Sequence, residues 1–141
     1  MELTKEQAIE NHRKMWNWIA DQYELGYERS IDNLKRVYGD LFYPYKRILG
    51  NCFCCDYAGE SYDSDWIAEC SKCPLKWPSD EKEGMCSDGH HFISLKNGRP
   101  IPSGLYGVLC DNDVGAFKLS KEEKVEMARM IANLPENENV Q

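Results

Sequence analysis

Four of the seven cysteines fall into two C-x-x-C pairs, Cys52-x2-Cys55 and Cys70-x2-Cys73, with fourteen residues between them. No other feature restricts the possible folds so much. A C-x-x-C turn aims backbone N–H groups at its two sulfurs, so one pair covers one side of a tetrahedral ion and two pairs close the shell. The spacer is about that of zinc ribbons and treble-clef-like sites. Cys52, Cys55, Cys70 and Cys73 are therefore expected to hold one structural Zn2+.

The remaining cysteine usage supports metal over disulfides. The count is odd, and Met1 to Lys14 is charged and polar with no apolar stretch of a secretory leader. A redox C-x-x-C is expected beside a βαβ pattern, and neither pair has one. Cys54 adds a third thiol to Cys52-Phe53-Cys54-Cys55. The x2 spacing leaves it as a free or packed thiol, with Cys86 as the substitute ligand should Cys73 or Cys52 drop out. Four thiolates leave no open coordination position for activating water or substrate. Such a site supplies folding energy, on the order of 10–16 kcal/mol apparent in small zinc modules. The expectation is a binding protein, not an enzyme.

At 141 residues the chain has the size of one domain. Residues 1–135 are read as a single zinc-stabilised domain: 1–50 helical, 51–119 zinc-binding and loop-rich, 120–134 a C-terminal helix, with 136–141 a disordered tail. Thr4-Lys5-Glu6-Gln7 is a capping box, and Ala8, His12, Met15, Trp16, Ile19 and Tyr23 then recur at helical spacing up to a stop at Gly26. A shorter helix from Ser30, with Ile31, Leu34, Tyr38 and Leu41 on one side and a break near Gly39, would complete a hairpin. Leu41 to Asn51 reads as an extended lead-in. His91 to Leu95 reads as a strand, Asn97-Gly98 as a turn back towards Ile101, and Leu105 to Cys110 as a second strand. Ser120-x-x-Glu123 caps a last helix that should stop before Pro135.

Charge restricts the partners. The net charge is −7, and residues 1–50 are balanced, with eight basic and eight acidic side chains. The acidic excess lies in the cysteine-bearing part and after it, where residues 56–69 carry five acidic groups and no Lys or Arg. Nucleic-acid binding draws most of its affinity from Lys and Arg on phosphates and needs a basic stripe. Lys35, Arg36, Lys46 and Arg47 are the local basic candidates. No apolar run approaches the ~18 residues that span a bilayer.

Other candidates are weighed against plainer roles. Cys86, His90 and His91, with Cys110, Asp111 and Asp113, could build a second metal site, but the histidines read better as part of an exposed turn. Asp111-Asn112-Asp113-x-Gly115 lacks the bidentate Glu of a calcium loop and reads as a turn. His12 reads as a satisfied core histidine. Trp16, Trp18, Trp66 and Trp77 read as core in preference to a ligand cage, with a contact surface as the second reading for Trp18, which lies off the main stripe.

His12-Arg13-Lys14-Met15-Trp16-Asn17-Trp18-Ile19-Ala20, Cys52-x-x-Cys55-Asp56-Tyr57-Ala58, Cys70-x-x-Cys73-Pro74-Leu75-x-Trp77 and Ile131-Ala132-Asn133-Leu134 resemble a group of small zinc-binding proteins of phages and prophages of Firmicutes. The resemblance covers about half the chain in patches, and C-x-x-C-P-L-x-W is its most specific part. The chain departs from it at Cys54 and over Ser79 to Gly104. The group brings no activity with it. It implies a bacterial host cytosol during infection, where small accessory proteins bind and block host or defence proteins.

The expected fold is α+β: an N-terminal helical hairpin and a C-terminal helix packed on a four-cysteine zinc-knuckle module with a small two-stranded sheet. The expected function is a small acidic phage accessory protein binding and inhibiting a host or defence protein. The alternatives are a zinc-containing nucleic-acid-binding regulator and a small-ligand sponge.

Overall fold

The computed structural model describes residues 4–27, 29–42, 53, 73–76, 92–102, 104–113 and 118–138. These form an α+β arrangement of four helices and a two-stranded antiparallel sheet: α1 (Lys5–Glu24), α2 (Ile31–Phe42), β1 (Phe92–Ser94), β2 (Pro100–Pro102), α3 (Leu105–Asp113) and α4 (Lys121–Ala132). Among the described residues, no helix is long and apolar enough to cross a membrane.

Both capping boxes form as the sequence implies. Thr4 Oγ1 accepts from Gln7 N at 3.1 Å while Gln7 Oε1 accepts from Thr4 N at 2.9 Å. Ser120 and Glu123 repeat the exchange at 3.2 and 2.8 Å. Each cap satisfies backbone donors that the first turn leaves without partners and is worth ~1 kcal/mol. α1 stops at Gly26, whose φ of +90° suits only glycine without strain. There Tyr27 N donates to Gln22 O and Gly26 N to Tyr23 O, the paired bonds of a Schellman ending.

α1 and α4 make the central pair of the fold. Contacts descend α4 as they climb α1: Lys5 meets Asn137, His12 meets Ile131, Asn17 meets Arg129, and Tyr23 meets Lys124. The two helices are therefore antiparallel. Ala8, Met15, Ile19 and Ala20 of α1 close the seam with Met127, Ala128, Ile131 and Ala132 of α4, and none of them is more than 1% exposed. Their small residues allow close approach, and truncating a buried Met or Ile to Ala would cost about 2–5 kcal/mol.

α2 continues through Gly39 to Phe42, not broken there as the sequence suggested. A helical glycine costs only about 1 kcal/mol, and Tyr38 anchors the turn by packing on Trp18 at 5.6 Å and Phe42 at 4.6 Å. The sheet pairs Phe92 with Pro102, Ile93 with Ile101 and Ser94 with Pro100. The return strand is thus 100–102, as the Asn97-Gly98 turn implied.

Leu105 to Cys110, read as a strand, is instead the body of α3. A short apolar run fits either period. The helix buries Leu105, Val108 and Leu109 on one side, and the sheet already has its second strand in residues just before it. Asp111 to Asp113, read as a turn, are the last residues of the same helix.

The disordered tail expected from Glu136 is not seen in its first residues. Leu75 and Glu136 form an antiparallel bridge, with Lys76 N donating to Pro135 O at 2.8 Å and Asn137 N to Pro74 O at 2.7 Å.

Candidate functional site

Of the four expected zinc ligands, Cys73 lies among the described residues. Cys52, Cys55 and Cys70 lie outside them, as do Cys54, Cys86, His90 and His91. No group of three potential His, Cys, Asp or Glu ligands occurs among the described residues. What the structure shows is how the neighbours of the thiols are seated.

Cys73 is half-buried against the main core, and Pro74 and Leu75 after it are fully buried. Main-chain bonds clamp this segment to residues 135–137, and Asn137 Nδ2 approaches the Cys73 carbonyl at 3.5 Å. Lys5, at the start of α1, closes the arrangement from the other side. Its ammonium meets the Glu136 carboxylate and the Asn137 carbonyl, both at 2.9 Å. On the first pair, Phe53 is fully buried, with its ring edge-on to Tyr38 at 6.3 Å. Both C-x-x-C pairs thus have an immediate neighbour in the same hydrophobic core.

Cys110 lies on α3, half-buried against that core. His12 behaves as a core histidine. It is 1% exposed, and its Nε2 donates to Ile131 O at 2.9 Å. Burial lowers its pKa to about 4, with the charges of Lys35 and Arg13 acting in the same direction. At neutral pH the ring is uncharged.

Lys35, one of the basic candidates for nucleic acid, is 3% exposed. Its ammonium donates to Tyr106 Oη at 3.1 Å and lies 4.6 Å from the centre of that ring, so it cannot reach a phosphate at the surface. Arg36 is exposed, and Lys46 and Arg47 lie outside the described residues. The sequence held a signal for Lys35: it follows Ile31 by four residues and precedes Tyr38 by three, on the apolar side of α2.

Two polar features go beyond the expected caps. Glu123 joins the hairpin to the start of α4, accepting from Ser120 N, Arg99 Nη1 and Asn97 Nδ2. The Ser120 backbone bond foremost, and then Arg99 and Asn97, hold its carboxyl below the usual range. A second feature is an open groove of about 570 Å3 on the outer side of α1, lined by Glu6, Glu10, Arg13, Lys14, Trp18 and Asp21 among others. Its basic groups are engaged: Lys14 pairs with Glu10 at 3.0 Å, and Arg13 donates to Leu134 O at 3.2 Å. Trp18 lines this opening while its ring packs on Tyr38 against the core.

No family model matches the chain, and no curated protein or solved structure matches it with significance.

Proposed function

We propose that this chain is a small acidic accessory protein of the phage type that binds and inhibits a bacterial host or defence protein. One structural Zn2+ on Cys52, Cys55, Cys70 and Cys73 stabilises it. The four-thiolate donor set suits zinc and leaves no position for substrate. The observation that carries the binding reading is the groove along α1. Trp18 is its aromatic element, and Glu6, Glu10, Asp21 and Glu136 outnumber Arg13 and Lys14 among its charged lining. Aromatic side chains supply contact area at low entropic cost. An acidic surface on a chain of net charge −7 speeds encounter with a basic partner.

The test is native mass spectrometry on the tagged protein purified gently from bacteria, followed by affinity measurements on any partner found. The expected result is one zinc per chain and a co-purifying protein whose affinity weakens with salt. Glu10→Lys, at an exposed position, should weaken that complex about tenfold without changing the fold. A complex insensitive to both salt and Glu10→Lys would remove the groove as the contact.

A further inference from the structure

Asn97-Gly98 is the one Asn-Gly pair of the chain, and it lies in the loop between β1 and β2. Leu95 N donates to Arg99 O at 3.0 Å and Gly98 N to Leu95 O at 2.8 Å, a short hairpin loop closed by a glycine at φ +86°. Asn97 and Gly98 are both exposed. Apart from its chain neighbours, no described residue comes within 4 Å of the place a Gly98 Cβ would take.

An asparagine followed by glycine faces a backbone nitrogen with no Cβ beside it to obstruct approach. That nitrogen can close a five-membered ring on the side-chain carbon Cγ. The bond from Gly98 N to Cγ forms, the Cγ–Nδ2 bond breaks, and Nδ2 leaves as ammonia with the Gly98 proton. One water then opens the ring. Opening at Cγ leaves aspartate at position 97 in a normal main chain. Opening at the main-chain carbonyl leaves isoaspartate, and the chain, now running through the side-chain carbons, is one atom longer.

The native turn holds the reacting groups off this path. The Gly98 proton that must leave is bound to Leu95 O. Asn97 Oδ1 accepts from Arg99 N at 2.9 Å, and its Nδ2 donates to Glu123 Oε2 at 3.4 Å. Ring closure therefore proceeds from local openings of the loop. The consequence falls on the same atoms. Conversion replaces the Nδ2 donor by a carboxylate oxygen facing Glu123, which accepts from Ser120 N and Arg99 Nη1 at the start of α4. Two like charges then meet where a hydrogen bond stood.

We propose that Asn97 is a deamidation site gated by the β1–β2 turn, and that its conversion, with water as co-reactant, loosens the hairpin from the start of α4.

The reduced full-length protein, incubated at mildly alkaline pH in buffer and in concentrated urea and followed by peptide mass spectrometry, tests the site and its gating. A gain of about one mass unit should appear at Asn97 ahead of the other asparagines, at least tenfold faster in urea than in the native state. Hydrogen exchange tests the consequence. Asn97→Asp, which carries the normal product, should speed exchange of the Leu95 and Ser120 amides at least threefold over Asn97→Ala, which removes the hydrogen bond without adding a charge. No gain at Asn97 in the unfolded chain would overturn the site. Equal rates in urea and in buffer would overturn the gating. Exchange in Asn97→Asp no faster than in Asn97→Ala would overturn the coupling to α4.

Discussion

His12 Nε2 donates to the carbonyl oxygen of Ile131 at 2.9 Å, so the middle of α1 caps the end of α4. The Ile131 carbonyl lies in the last turn of α4, where the residue four further on is Pro135 and has no N–H to offer. Leu134 N reaches this carbonyl at 3.4 Å, and the imidazole adds the shorter bond to its second lone pair. Arg13 likewise donates to the Leu134 carbonyl.

This arrangement makes stability depend on pH. The folded protein keeps His12 neutral down to about pH 4, whereas the unfolded chain binds a proton near 6.5. Between those values the unfolded state holds the extra proton, so stability falls as pH is lowered. The slope from this group is about 1.4 kcal/mol per pH unit, or roughly 3 kcal/mol over the window. Urea unfolding at pH 7 and pH 4.5 should show the loss, and His12→Gln should flatten it.

Glu123 acts in the acid range with the usual carboxylate sign. Its lowered pKa means that its contribution is complete above the unfolded value and is lost as pH falls through the folded one. Glu123→Gln removes the charge that Arg99 and Ser120 N bind, and should cost about 1–2 kcal/mol in urea unfolding at pH 7. Glu122→Gln, its neighbour in the same first turn, should change stability by less than about 0.5 kcal/mol.

Leu75 and Lys76 are adjacent and should respond very unequally to truncation. Leu75 is buried and bridged to Glu136, so Leu75→Ala should cost about 2–4 kcal/mol. Lys76 is exposed and its bond to Pro135 is made by the backbone, so Lys76→Ala should be nearly neutral. Chemical denaturation of the two variants checks this.

The zinc assignment predicts which thiols matter. Cys52→Ser, Cys55→Ser, Cys70→Ser and Cys73→Ser should each lower zinc content in mass spectrometry or a colorimetric release assay. Cys54→Ser and Cys86→Ser should retain one ion per chain. Retention by Cys73→Ser with loss in Cys86→Ser would assign the fourth position to Cys86.

The parts of this fold that could be read in advance are those coded locally. Thr4-x-x-Gln7 and Ser120-x-x-Glu123 state where α1 and α4 begin, because each box is closed by residues three apart. Gly26 and the apolar stripe of α1 likewise carry their meaning within one or two turns. The stripe also marked His12 as a core residue, although its partner Ile131 is 119 positions away. The candidate zinc set was legible for the same reason: its signal is the three-residue spacing inside each pair.

Tertiary structure decided the rest, because there local signals were silent or balanced. Leu105 to Cys110 suits a strand or a helix by periodicity, and the packing of Leu105, Val108 and Leu109 into the core settles it as helix. Lys35 reads as a surface charge until Tyr106, 71 residues away, receives its ammonium. The Leu75–Glu136 bridge and the Lys5 clamp join three segments with no spacing rule between them. The sequence by itself determined the helix starts, the apolar stripe of α1 and the cysteine spacing. Only the tertiary structure determined that Phe53, Cys73 and Leu75 share one core with the helices, because burial depends on which distant surfaces meet.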